Sequence, residues 1–222
     1  LSGDKPLLVF SSHSHEDHFD AKVFTLLEKY PDTRFFVSRD TRLTERKRQW
    51  LNISDAAFAR TTVLRPDSIL LTEVAGEDLS IRAVKSTDIG NAYLLRCEGK
   101  MVYHGGDLNW WDWKSEGEAY CNNMAAHYRT AIEKLASAVE NEATDNAIAP
   151  EITAAMAPLD PRLGEESEGL GIEELLRQIR VRRVFPMHMC KKYEAIDRYI
   201  AAHPAQKDTI ARITREGETF TI

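Results

Sequence analysis

His13-Ser14-His15-Glu16-Asp17-His18, residues 13–18, is the stretch that decides the reading. It follows the apolar run Leu7-Leu8-Val9-Phe10, which has the composition of a short buried strand. Side chains two apart in an extended segment share a face, so His13 and His15 point to one side and can reach one metal ion. Asp17 and His18 follow as the chain leaves the strand, where they can face a second ion. Imidazoles with a nearby carboxylate suit zinc or another borderline transition metal. The plainer alternative, a polar loop with exposed histidines, needs four ligand-type residues to fall together at 13, 15, 17 and 18 by chance.

Two ions need more ligands, and these are expected at other strand ends. Residues 101–111, MVYHGGDLNWW, run from an apolar strand into Gly105-Gly106 and then Asp107. Glycines let backbone approach an ion closely, and a carboxylate has two oxygens with which to bridge two ions. In VFPMHMC, 184–190, His188 comes directly after another apolar strand. Asp160 follows the strand-like ITAAMAP and is a candidate to hold an imidazole from behind; it reads equally well as a turn-forming Asp before Pro161. Trp110 and Trp111 either wall a substrate pocket or pack beneath a loop. Lys192, with Lys191 and Arg162, either clamps an acidic substrate or is ordinary surface.

The rest of the chain alternates strands and helices. Strands are expected at 7–11, 34–38, in five short runs between 61 and 103, at 152–158 and at 182–187. Helical spacing marks 19–30, 124–139, 171–179 and 193–203, and the C-terminal residues 211–222 read as a hairpin around Glu216-Gly217. The expectation is one α/β domain over 1–222. With 29 Lys and Arg against 35 Asp and Glu, the net charge of −6 argues against broad binding to nucleic acid or anionic membrane. No apolar run approaches the ~20 residues of a membrane span. Three widely spaced cysteines, Cys97, Cys121 and Cys190, suit reduced thiols in a cytoplasmic protein. A small-molecule substrate is the partner expected.

H-x-H-x-D-H after a strand, G-G-D after a later strand and a strand-end histidine near the C-terminus together resemble the metallo-β-lactamase-fold hydrolases. HGGDLNWW and KSTDIG resemble the branch related to the ascorbate-phosphate lactonases. The resemblance implies an αββα sandwich of two mixed sheets flanked by helices, with a dinuclear site at one edge. It implies His13 and His15 on the first metal, Asp17 and His18 on the second, Asp107 bridging and His188 completing the second site. Two divalent ions are implied, zinc first, with manganese or iron as alternatives.

Two departures accompany the resemblance. The family's third histidine for the first metal is missing where the chain reads VKSTDIG; Asp88 is the best chemical substitute there, and His104, beside Asp107, is a candidate partner behind the ligands. Only about a dozen residues precede His13, so strands expected before the motif are absent or shortened, and a leader could have been lost with them. The expected chemistry is hydrolysis of an ester, lactone or phosphoester by metal-bound hydroxide, with Asp17 orienting the water or taking its proton. The alternatives are a mononuclear iron oxygenase of the persulfide type and a metal-poor, non-catalytic binding member of the fold.

Overall fold

The computed structural model describes residues 5–222. Among these residues nine strands form two sheets. The first contains β1 (Leu7–Ser11), β2 (Thr33–Ser38) and β3 (Thr61–Leu64), all parallel with β2 in the middle. The second runs in chain order: β4 (Ile69–Val74), β5 (Glu77–Lys85), β6 (Asn91–Cys97), β7 (Lys100–His104), β8 (Ile152–Pro158) and β9 (Val184–Met187). β4 to β7 are antiparallel, and β7, β8 and β9 are parallel. Mixed pairing is thus confined to the second sheet. The first is joined by helical crossovers, which return each strand in the same direction.

The helices are α1 (Leu26–Lys29), α2 (Glu45–Trp50), α3 (Asp55–Ala59), α4 (Glu118–Asn146), α5 (Leu170–Gln178) and α6 (Glu194–Ala202). Strand alternation sorts the chain into layers. On β2, Phe36 faces the second sheet and packs with Leu79, Ile81 and Tyr93. Its neighbours Phe35 and Val37 point the other way, onto Phe24, Leu43, Ile53 and Ala57. The outer face of the second sheet, including Leu94, Tyr103, Ala155 and Val184, is covered by Ile132 and Leu135 of α4, Ile172 and Leu175 of α5 and Ile196 of α6. The order is helices, sheet, sheet, helices.

One buried carboxylate locks α4 down. Glu142, 3% exposed, accepts from Ser80 Oγ at 2.7 Å and Arg82 Nε at 2.5 Å, and from Arg96 Nε at 3.0 Å. These donors satisfy a charge that would otherwise be costly to bury.

Two expected elements take other forms. Residues 19–30 are not one helix but a 3-10 turn, Ala21–Thr25, leading into the single turn of α1. Asp20 Oδ1 accepts the Lys22 N–H at 2.9 Å, and this short-range bond sets a tight start. The C-terminal hairpin does not form. Thr214 N–H and Oγ1 are taken by the Glu218 carboxylate, the N–H at 2.8 Å, in place of a cross-strand bond. Ile210 bridges to the sheet at Val184, whose carbonyl accepts the Ala211 N–H at 2.7 Å. Among the described residues no helix is long and apolar enough to cross a membrane, and Cys97, Cys121 and Cys190 are free.

Candidate metal centre

The loops after β1, β7 and β9 converge at one edge of the sandwich. After β1, Ser11 Oγ donates to the carbonyls of His13 (3.1 Å) and His18 (2.9 Å), and the N–H groups of His18 and Phe19 return to the His15 carbonyl. The motif is thereby curled into a compact loop. The second sheet grips it from below: Tyr93 Oη donates to the Ser11 carbonyl at 2.9 Å, and the Asn91 N–H to the Ser12 carbonyl at 2.9 Å. Two glycines are required for this approach. Gly90 has φ +75°, and a Cβ on it would lie 2.5 Å from His13 Cβ; Gly106 has φ +53°, and a Cβ there would lie 2.6 Å from Ser12 Cβ. His188 itself is held at φ 66°, a left-handed conformation uncommon outside glycine, as the chain turns off β9.

Asp107 stands in the middle. Its Oδ2 is 3.4 Å from His13 Nε2, while its Oδ1 is 3.3 Å from His18 Nε2 and 2.9 Å from His188 Nε2. His13, His15 and Asp107 present ligand atoms all within 4.8 Å of one another, and so do Asp17, His18 and His188. Within these groups His13 Nε2 and His15 Nδ1 are 3.0 Å apart, and His18 Nε2 and Asp17 Oδ2 are 3.5 Å apart.

The hydrogen bonds behind the rings test whether ions fit. Ser12 Oγ lies 3.0 Å from His13 Nδ1 and 3.1 Å from His18 Nδ1, and its two lone pairs can accept from both. Asp160 Oδ2, an acceptor only, lies 3.3 Å from His188 Nδ1. Assigning the proton to Nδ1 in each neutral ring leaves three bare Nε2 atoms turned toward one carboxylate. Lone pairs so arranged repel unless a proton, as on His188, or a cation lies between them. The donors therefore fit a divalent ion in each group, with Asp107 offering one oxygen to either.

No protein-family model and no curated protein matches the chain. Solved structures do resemble it. CmlA, a diiron β-hydroxylase from Streptomyces venezuelae, matches with a TM-score of 0.53 at 10% identity, covering 93% of this chain and 43% of that one. A mutant of CmlA β-hydroxylase matches with a TM-score of 0.55 at 10% identity, covering 91% and 42%. The chain thus spans about two fifths of the length of that enzyme. The metallo-β-lactamase fold protein YhfI from Bacillus subtilis matches with a TM-score of 0.42 at 11% identity, covering 82% and 64%. The chain shares its fold with CmlA: two packed sheets flanked by helices, the αββα sandwich expected from the sequence.

Burial and charge oppose each other across this site. Desolvation lowers the pKa of the fully buried His13, against the pull of Asp107. Burial lowers His104 in the same way. Burial pushes the Asp107 carboxyl up, but the His188 hydrogen bond and the nearby rings outweigh it and hold the group below its ordinary value. Asp160 is likewise pushed up by burial and held far below the carboxylate range by His188 and Arg162. Hydrogen bonds to Asp107 and Asp160 raise His188 to about 10. An ion taking its Nε2 displaces that proton.

The remaining residues sort by place. His104 Nδ1 accepts the Gly106 N–H at 3.0 Å and so shapes the turn that presents Asp107. Trp111 Nε1 donates to the Asp107 carbonyl at 3.0 Å. A cavity of about 490 Å³ opens over the site, walled by Trp111, Trp113, Tyr120 and Met124, with Arg162 among its lining. Asp88 lines this cavity too, outside the His13–His15–Asp107 group. Trp110 lies elsewhere, its ring 4.4 Å from the Arg129 guanidinium, and Lys192 is exposed and away from the cavity. Ser12 escaped the sequence reading: a serine before a histidine carries no distinctive signal, and its bonds to two rings arise only in the folded loop.

Proposed function

We propose that the protein is a metal-dependent hydrolase acting on an ester, lactone or phosphoester. The observation that carries this reading is the pair of ligand groups that flank Asp107 on the floor of a walled cavity. His13, His15 and Asp107 would hold one ion; Asp17, His18, Asp107 and His188 would hold the other. Divalent ions of the zinc type supply Lewis acidity and water that is reactive near neutral pH. Ser12 and Asp160 fix the rings so that each Nε2 faces inward. The Asp17 side chain, 73% exposed at the mouth of the cavity, is placed to accept a proton from the attacking water. Arg162, bidentate on Asp160 and 5.8 Å from the Trp113 ring, offers positive charge to the leaving or attacked group. Trp111, Trp113, Tyr120 and Met124 give the cavity an apolar wall.

A second reading is favoured by the donor set itself. This reading is an iron oxygenase: four histidines with the carboxylates of Asp17 and Asp107, and no third histidine in the first group, make a mixed nitrogen and oxygen donor set that suits iron as well as zinc. CmlA, described as a diiron β-hydroxylase, shares the fold. Elemental analysis of the purified protein, followed by a screen of generic phosphoesters and lactones, separates the two. Zinc with turnover of a phosphoester or lactone supports the hydrolase. Iron with no turnover of any member of the screen sinks it in favour of the oxygenase.

A further inference from the structure

We propose that the substrate of the metal cavity carries an aromatic ring, as an aryl-substituted carboxylic ester or lactone. The proposal rests on the hydrolase reading above and names the substrate class within it. On its apolar side the cavity is lined by Trp111, Trp113, Tyr120 and Met124. Three of these are aromatic and the fourth is a thioether. Among the described residues no Leu, Ile or Val joins them in the lining.

These side chains are not an outcrop of the core. The main core, between the second sheet and α4, α5 and α6, does not include them. With Leu163 they form a small cluster of their own. Three separate segments supply it: the loop after β7 brings Trp111 and Trp113, the first turns of α4 bring Tyr120 and Met124, and the turn after β8 brings Leu163. Tyr120 and Met124 are four apart and so share one face of the helix.

The cluster is fixed against the metal donors. Trp111 Nε1 donates to the Asp107 carbonyl at 3.0 Å, and the Trp111 ring meets the His188 ring edge-on at 5.5 Å. Trp113 lies parallel to Trp111, the planes 3° apart and the centroids 6.2 Å apart. Trp111 and Met124 are buried, whereas Trp113 and Tyr120 keep part of their surface open. The last two are therefore the rings a ligand can touch, and the first two hold them in place. A ligand ring that meets aromatic neighbours offset or edge-on gains attraction beyond the area it buries, and a thioether favours ring edges in the same way. A saturated ring of the same size gains the area alone.

The test uses the full chain as purified and three carboxylates, phenylacetate, cyclohexylacetate and acetate, followed by calorimetry, beside turnover of their methyl esters. Phenylacetate is expected to bind saturably and about three- to tenfold more tightly than cyclohexylacetate, with acetate weaker than both. Trp113→Leu and Tyr120→Leu keep an apolar side chain and remove the aromatic one. Each should reduce the preference for phenylacetate while the bound metal in elemental analysis stays as in the parent. Should Trp113→Leu lose its far-UV spectrum, Tyr120→Leu alone carries the same test. No saturable binding of phenylacetate, cyclohexylacetate binding as tightly, or a preference unchanged in every folded variant overturns the proposal. Turnover of the methyl esters with no preference for the phenyl one keeps the hydrolase and overturns the aromatic subsite. Preferential phenylacetate binding with no turnover of any ester keeps the subsite and overturns the hydrolase.

Discussion

Asp160 Oδ2 lies 3.3 Å from His188 Nδ1, behind the face of the ring that meets Asp107. The carboxylate accepts only, so it holds the Nδ1 proton and keeps Nε2 free for an ion. In Asp160→Asn the amide can donate instead, and the ring can move its proton to Nε2. Metal affinity at the group containing His188 should fall about 10–100-fold, measured by competition with a chelating dye. An unchanged affinity would show that Arg162 or the left-handed backbone alone orients the ring.

Asp107 belongs to the first donor group, and its Oδ1 also lies 3.3 Å from His18 Nε2 and 2.9 Å from His188 Nε2 of the second. Asp107→Ala should abolish hydrolysis and lower the bound metal in elemental analysis, because two cations would then face each other with no shared anion. A variant with full metal occupancy and near-normal turnover is incompatible with the two-ion reading.

Asp88 lines the cavity, in the KSTDIG stretch where the resemblance to metallo-β-lactamase-fold hydrolases leads a third histidine to be expected. Asp88→His should raise zinc affinity for the His13–His15 group, since imidazole binds zinc more readily than a distant carboxylate does. The measurement is zinc titration of the metal-stripped protein against the parent. Identical titration curves would remove Asp88 from the site.

Glu142 links pH to stability. Burial pushes its carboxyl up, but the bonds from Ser80, Arg82 and Arg96 outweigh this and hold it below the ordinary glutamate value of 4.5. A depressed carboxylate contributes stability that is complete above the unfolded value and is lost as pH falls through the folded one. The melting temperature should therefore fall on acidification below that ordinary value. Glu142→Gln should cost about 1–3 kcal/mol at neutral pH and show a flatter acid dependence. A parent and variant with parallel pH curves would contradict this.

The residues of the candidate site were legible because strand ends are legible. An apolar run followed by His13, by Gly105-Gly106-Asp107 or by His188 states both the element and the residue that leaves it. What joins them was not. Ser12 bonds two rings only because Gly90 and Gly106 let the second sheet close on it, and both contacts are remote in sequence. Trp110 and Trp111 are adjacent and chemically alike, yet one lines the metal cavity and the other meets Arg129. Periodicity likewise could not foresee that Asp20 would tighten the turn beginning at Ala21, or that Glu218 would occupy Thr214 in place of a second strand. Each depends on a side chain competing with the backbone for the same bond.

The donor residues come from both sheets and from nearly both ends of the chain: His13 and His18 after β1, Asp107 after β7, His188 after β9. An ion seated among them would be as much rivet as reagent, tying together segments whose closure costs the chain the most entropy. Metal scarcity would then act twice, once on turnover and once on survival, because the metal-free protein would open and be cleared sooner. The cell's supply of the ion would set how much of this protein exists as well as how fast it works.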